Sequence, residues 1–213
     1  MSKKARVDKG SIKSFMKTLG LTGGVGMGKS TSGALFQART IAVVDTDELA
    51  RLIVEPGQPA LDEVREAFGE DIVGKDGRLR RGELAKRVFA EPAARLRLES
   101  ILHPRIRQLW HAQVEAWRAE GRTAAVVIIP LLFETKAEAE LDATICVACS
   151  ATAQRERLLA RGWPAEQIAQ RIEAQWPVEK KIALSDYVIW TEGDPDLHEQ
   201  QIERILGSLR VES

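Results

Sequence analysis

Residues 23–31 read G-G-V-G-M-G-K-S-T, and Gly23, Gly28, Lys29 and Ser30 fill every constrained position of the pattern G-x-x-x-x-G-K-[S/T]. An apolar stretch (Phe15, Met16, Leu19, Leu21) precedes this loop and a helix-like one (Thr31, Ala34, Leu35, Ala38) follows it. The sequence is therefore committed to a strand–loop–helix unit. Glycines let successive backbone N–H groups point inward as an anion-binding nest, and the following helix adds the positive end of its dipole. Gly24, Val25, Gly26, Met27, Gly28, Lys29, Ser30 and Thr31 would then wrap the phosphates of ATP. Lys29 is placed to reach the β- and γ-phosphates, and the Ser30 hydroxyl to complete a Mg²⁺ shell. A glycine-rich turn that binds nothing is the plain alternative. The dinucleotide fingerprint G-x-G-x-x-G fits poorly, because counting from Gly24 puts Lys29 where its last glycine belongs.

A chain of 213 residues with 44% apolar content can bury one substantial core, with room for an inserted subdomain. Lys plus Arg and Asp plus Glu are equal at 31 each, so no global field draws the chain to nucleic acid or to anionic lipid. A nucleic-acid-dependent ATPase is disfavoured on that ground. The longest apolar run, 124–129 continuing through Pro130 to Phe133, is too short to span a bilayer, and the basic N-terminus lacks the apolar segment of a secretory signal. Residues 1–14 read as a solvated basic extension, and a cytoplasmic location is expected. Cys146 and Cys149 form a C-x-x-C inside a strand-like run, where their odd separation points them to opposite faces. Zinc would need two further ligands and a redox pair normally opens a helix, so buried structural thiols are expected.

Short apolar runs alternate with longer amphipathic ones, which argues for βα units and a mostly parallel sheet. The spacing predicts strands at 15–21, 41–44, 124–129, 143–148 and 187–190. Between the second and third of these the pattern turns helical, at 49–54, 60–68, 82–89, 92–102 and 104–120. In the last segment Ile106, Leu109, Trp110, Val114 and Trp117 form one stripe, Pro104 suits a first turn and Gly121 a stop. Lys75-Asp76-Gly77 reads as a tight turn. This block is too long for one crossover helix and is read as a helical insert. A second insert, 152–181, is helical, arginine-rich and broken at Gly162-Trp163-Pro164 and at Pro177. It is either a solvated hairpin or a mobile lid that brings Arg157 and Arg161, one turn apart, over the phosphates.

In a doubly wound sheet, ligands sit beyond the carboxyl ends of the strands. The first strand ends in the glycine loop, the second in Asp45-Thr46-Asp47 and the third in Pro130-Leu131-Leu132-Phe133-Glu134. The acidic pair could hold Mg²⁺ through water or accept a proton from an attacking hydroxyl. Either Asp alone could instead be a helix N-cap, and Asp47 ahead of Glu48-Leu49-Ala50 would suit that role. Glu134 reads equally as a site carboxylate or an exposed loop residue.

The series L-T-G-G-V-G-M-G-K-S-T, V-V-D-T-D-E-L-A-R, V-E-P-G-Q-P-A-L, L-H-P-R-I and P-L-L-F-E-T, with R-I-E-A-Q-W-P-V-E-K-K and S-D-Y-V-I later, resembles the dephospho-CoA kinase family from about residue 19 to 205. The glycine loop alone is shared with many kinases; D-T-D-x-x-A-R, E-P-G and L-H-P together are far more specific. The resemblance implies phosphoryl transfer from ATP to the ribose 3′-hydroxyl of dephospho-CoA, with Mg²⁺ as cofactor. It also implies an α/β fold with a P-loop kinase core on a parallel five-stranded sheet (15–54, 121–151 and 182–213), a helical CoA-substrate insert (55–120) and a helical lid (152–181). By motif match Asp47 would be the base for the 3′-hydroxyl, catalytic beside Lys29 of the glycine loop. Arg51, His103, Pro130 and Glu134 would belong to the acceptor side, and Arg157 and Arg161 to the ATP side. The partners implied are ATP and dephospho-CoA, without nucleic acid or membrane, in a monomer or small homo-oligomer. Two departures stand out. Val188-Ile189-Trp190-Thr191-Glu192-Gly193 stands where the family usually reads V-I-D-N-x-G, losing an Asn near the expected adenine pocket. The lid turn at Arg161-Gly162-Trp163 reads one residue short.

Overall fold

The computed structural model of the protein describes residues 16–211; the basic extension 1–14 and Phe15, the first residue of the expected first strand, lie outside them. Five strands, β1 (Lys17–Gly23), β2 (Ala42–Asp45), β3 (Ala124–Ile128), β4 (Ala143–Ala148) and β5 (Tyr187–Trp190), pair in parallel in the order β2-β3-β1-β4-β5. The expected strands stand, with β1 shifted two residues along the chain so that it runs directly into the glycine loop.

Both faces of the sheet's centre are covered, which is why β3 and β4 read as unbroken apolar runs rather than as alternations, while at the edge Val188 and Trp190 of β5 are exposed. Leu19, Leu21, Val126, Ile128, Ile145 and Val147 point to one face. There they meet Phe36 of α1 (Lys29–Ala38) and Ile202, Ile205 and Leu206 of α9 (Pro195–Ser208). Ala125, Val127 and Ile129 point to the other, against Trp110 and Val114 of α5 (Pro92–Ala119) and against Leu132 and Phe133. Cys146 and Cys149 are buried free thiols. Burial pushes the Cys146 thiol pKa up to about 11, which suppresses the reactive thiolate.

The helical block consists of α2 (Thr46–Leu52), α3 (Pro59–Phe68), α4 (Arg81–Ala90) and α5. A turn at Gly74–Gly77 is closed by the Gly77 N–H to the Gly74 carbonyl at 2.9 Å, and a single antiparallel bridge joins Val73 to Leu79. One expectation fails. The segments 92–102 and 104–120 are a single 28-residue helix with Pro104 inside it. A proline there removes the intrahelical hydrogen bond to the Ser100 carbonyl, and one residue on the Arg105 guanidinium folds back to donate to the Ile101 carbonyl at 2.6 Å. Packing at both ends outweighs the break. The first half of α5 joins the insert's own core through Leu98, Ile101 and Leu102, around Val64, Ile72 and Leu84; its second half lies on the sheet. Gly121, at φ +78°, ends the helix as expected.

After β4 come α6 (Ala151–Ala160), α7 (Ala165–Glu173) and α8 (Val178–Leu184), interrupted at Gly162-Trp163-Pro164 and at Pro177 as the sequence indicates. Among the described residues, no helix is long and apolar enough to cross a membrane.

Candidate active site

The glycine loop hangs from the end of β1. Gly23 sits at φ +144°, where a Cβ would come within 2.2 Å of the Val147 carbonyl oxygen, and Gly28 caps α1 at φ +100°. Neither position accepts a side chain, so the glycines of the motif are demanded by geometry. The Lys29 ammonium lies across the loop, donating to the carbonyls of Gly23 at 2.9 Å and Gly24 at 3.0 Å. Burial lowers its pKa from 10.5 to about 8; Asp47 and Asp45 oppose that shift and Lys181 adds to it. Ser30 and Thr31 are exposed at the mouth. The Ser30 hydroxyl makes no hydrogen bond to any described residue, leaving it free to serve as a hard oxygen ligand.

Arg157 supports the loop from beneath. Its guanidinium donates to Thr191 Oγ1 at 2.8 Å and to the Thr191 carbonyl at 2.5 Å, and Thr191 Oγ1 donates to the Met27 carbonyl at 3.0 Å. Thr191, at the position of the missing Asn, therefore serves as a strut between α6 and the loop. Arg161 is not brought to the site: it is the exposed C-cap of α6 and lies outside the cleft.

The acidic pair divides its labour: of the two carboxylates that could have capped the helix, the structure gives that role to the first. Asp45, not Asp47, caps α2, its carboxylate accepting from the Asp47 N–H at 2.8 Å, while Thr46 Oγ1 donates to the Ile128 carbonyl at 2.9 Å and ties the helix start to β3. Asp47 is thereby released into the cleft. Although Asp47 keeps access to solvent, the cleft walls partly desolvate its carboxyl and push the pKa up, the Asp45 charge adds to that rise, and Lys29, Arg51 and Arg171 pull it back. Arg51 is exposed and reaches Asp47 only through this field.

Beyond β3, the fully buried Lys181 donates to the Pro130 carbonyl at 2.6 Å and forms an ion pair with Glu134 Oε1 at 2.9 Å, and the same carboxylate oxygen accepts from the Trp176 N–H at 3.0 Å. Glu134 is thus no solvated loop residue. Its second oxygen is buried without a protein partner, and the residue lines the cleft. Breaking a buried pair strands the remaining charge, which typically costs about 3–5 kcal/mol. Lys181→Met should lower unfolding stability by about that much in urea titrations, and Glu134→Gln added to it should restore part of the loss. A loss below about 1 kcal/mol would mean that the ammonium is not desolvated in the fold.

Two adjoining cavities of about 660 and 690 Å³ form the cleft and share Asp47, Arg95, Glu99, His103, Pro130 and Glu134. Arg95, Glu99, His103 and Arg107 are spaced four apart on α5 and so form one stripe along its wall. The outer chamber is apolar, walled by Val88, Leu98, Leu102, Ile106 and Trp110. The inner chamber lies between Val25, Lys29 and Asp47 on one side and Arg171, Gln175 and Trp176 on the other. Arg171 and Gln175 escaped the sequence reading. Gln175 Oε1 accepts from the Val25 N–H of the loop at 3.0 Å, and Gln154 donates to the Val25 carbonyl at 2.7 Å. The signal for Arg171 was its place in R-I-E-A-Q-W; nothing in the spacing separated it from the other arginines of the segment.

Comparison with known proteins fits this geometry. The family model for dephospho-CoA kinase matches residues 17–196. The dephospho-CoA kinase of Anaeromyxobacter dehalogenans is 43% identical over 92% of this chain and 93% of its own. A solved structure from Thermus thermophilus superposes with a TM-score of 0.80 at 32% identity, covering 91% of this chain and 98% of that one. The dephospho-CoA kinase of Campylobacter jejuni, 21% identical, shares the fold with a TM-score of 0.66 over 90% of this chain and 96% of that one.

Proposed function

The chain belongs to the dephospho-CoA kinase family, and from that premise we propose how its residues divide the family's reaction, transfer of the γ-phosphoryl group of ATP to the ribose 3′-hydroxyl of dephospho-CoA. The observation that carries the assignment is the inner chamber, where the Lys29 loop, the freed Asp47 carboxylate and the Arg171 side of 152–181 face one another. Residues 24–31 cradle the ATP phosphates. Lys29 compensates charge at the β- and γ-oxygens, and Arg171 does so from the lid, residues 152–181. Asp47 takes the proton of the 3′-hydroxyl as that oxygen attacks phosphorus. Arg157 acts on ATP indirectly, by bracing the loop through Thr191.

The insert 55–120 supplies the acceptor side. His103 and Arg95 flank the passage between the chambers, and the apolar outer chamber suits the pantetheine arm, a length of weakly polar chain. Pro130 and Glu134 form the floor, fixed by Lys181. Ser30, with its free hydroxyl, would hold Mg²⁺ together with the phosphates, the small number of protein ligands that this ion usually takes; bound there it would neutralise charge on the β- and γ-phosphates.

An ATP-consumption assay against dephospho-CoA, AMP and shikimate tests the reading. Turnover should appear with dephospho-CoA and require Mg²⁺. Turnover with AMP or shikimate instead would make the insert a different acceptor pocket.

A further inference from the structure

The turn between α6 and α7 is built to present one side chain. Gly162, at φ +78°, donates its N–H to the Leu159 carbonyl at 2.8 Å, and Trp163 donates to the Leu158 carbonyl at 3.3 Å. This is the paired closure that ends a helix on a left-handed residue. On the other side, Pro164 caps α7 and restricts the backbone of the residue before it. Trp163 is therefore pinned from both directions. The Arg171 guanidinium, near the far end of α7, leans back along the helix and lies over the indole ring, 4.7 Å from its centroid. An exposed arginine has many rotamers, and the stack selects the one found here.

We infer that Trp163 is a positioning residue for phosphoryl transfer: its indole face holds the Arg171 guanidinium toward the inner chamber, where the γ-phosphate and the acceptor hydroxyl meet. The inference rests on the assignment of Arg171 made above and adds how the lid keeps that cation ready. Pre-orienting a flexible side chain removes an ordering cost that would otherwise fall on the transition state. The charged groups facing Asp47 are Asp45, Lys29, Arg51 and Arg171, so a displaced Arg171 also leaves the Asp47 carboxyl harder to ionise.

Steady-state kinetics of the full chain with ATP and dephospho-CoA test this. Trp163→Leu keeps apolar bulk without the π-face and should lower kcat roughly 3- to 30-fold, the range a cation–π contact commands, with the KM for ATP within about twofold. The acid limb of its kcat/KM profile should move to higher pH. Trp163→Phe should recover most of the rate. Arg155→Ala, an exposed lid arginine away from the chamber, should turn over normally. Trp163→Leu combined with Arg171→Ala should be no slower than Arg171→Ala alone. The proposal is overturned if Trp163→Leu matches the wild type while Arg171→Ala is slow, or if the two losses add in full. Wild-type rates in Arg171→Ala would sink the assignment of that arginine, and the role of Trp163 with it. No turnover of dephospho-CoA by the unmodified protein would sink the family reaction itself.

Discussion

Lys29→Ala should lower kcat by about 10²–10³ while leaving the fold unchanged or more stable. The loss follows from position. The ammonium lies over the Gly23 and Gly24 carbonyls, inside the nest proposed to receive the phosphates, and charge would migrate across those phosphates during transfer. The stability half follows from linkage. The folded pKa of Lys29 is lowered to about 8 from 10.5, so between those values the unfolded chain carries a proton that the native chain has lost. Stability from this group therefore rises with pH across that window, and below about 8 the buried charge is a net cost. At pH 7 alanine relieves that cost, and thermal unfolding should show an equal or higher Tm. A variant with near-normal kcat would remove the loop from catalysis. One that loses activity together with a large drop in Tm would show that the lysine supports the fold instead.

The parts of the molecule that were legible in the sequence are those governed by local chemistry. The glycine loop demands backbone conformations that few sequences supply, and the central strands β3 and β4 are apolar on both faces because both are covered. What stayed hidden depends on contacts between distant segments. Pro104 reads as a helix start, and only the packing of α5 against two cores explains why the helix runs through it. Lys180 and Lys181 are identical letters side by side, yet Lys180 lies exposed over the Trp176 ring while Lys181 is fully buried beside Glu134. Arg157, Arg161 and Arg171 likewise look interchangeable. The α6–α7 turn sends the first under the loop, leaves the second in solvent and places the third in the cleft. Choosing between Asp45 and Asp47 as the cap needed the helix start itself, which falls at Thr46 and makes Asp45 the cap.

That choice carries the other large effect. Asp47→Asn should reduce kcat with dephospho-CoA by about 10²–10⁴, the range spanned by a general base, with ATP binding little changed. Asparagine keeps the shape but cannot take the proton of the 3′-hydroxyl. A base works only when ionised, and burial together with Asp45 raises the Asp47 pKa, so the kcat/KM of the unmodified protein should climb with pH through a point above the usual aspartate range. It should fall again near 8 in the free enzyme as Lys29 loses its proton. Asp45→Asn then separates the two carboxylates. The amide oxygen can still accept from the Asp47 N–H and keep the cap, but the charge that pushes Asp47 up is gone. Its acid limb should therefore move to lower pH, with the maximal rate largely retained. An Asp47→Asn enzyme at the wild-type rate beside a dead Asp45→Asn enzyme would exchange the two roles. Full activity in both would reduce the pair to a helix cap and leave the transferred proton to go directly to the phosphate oxygens, which a loose phosphoryl-transfer transition state permits.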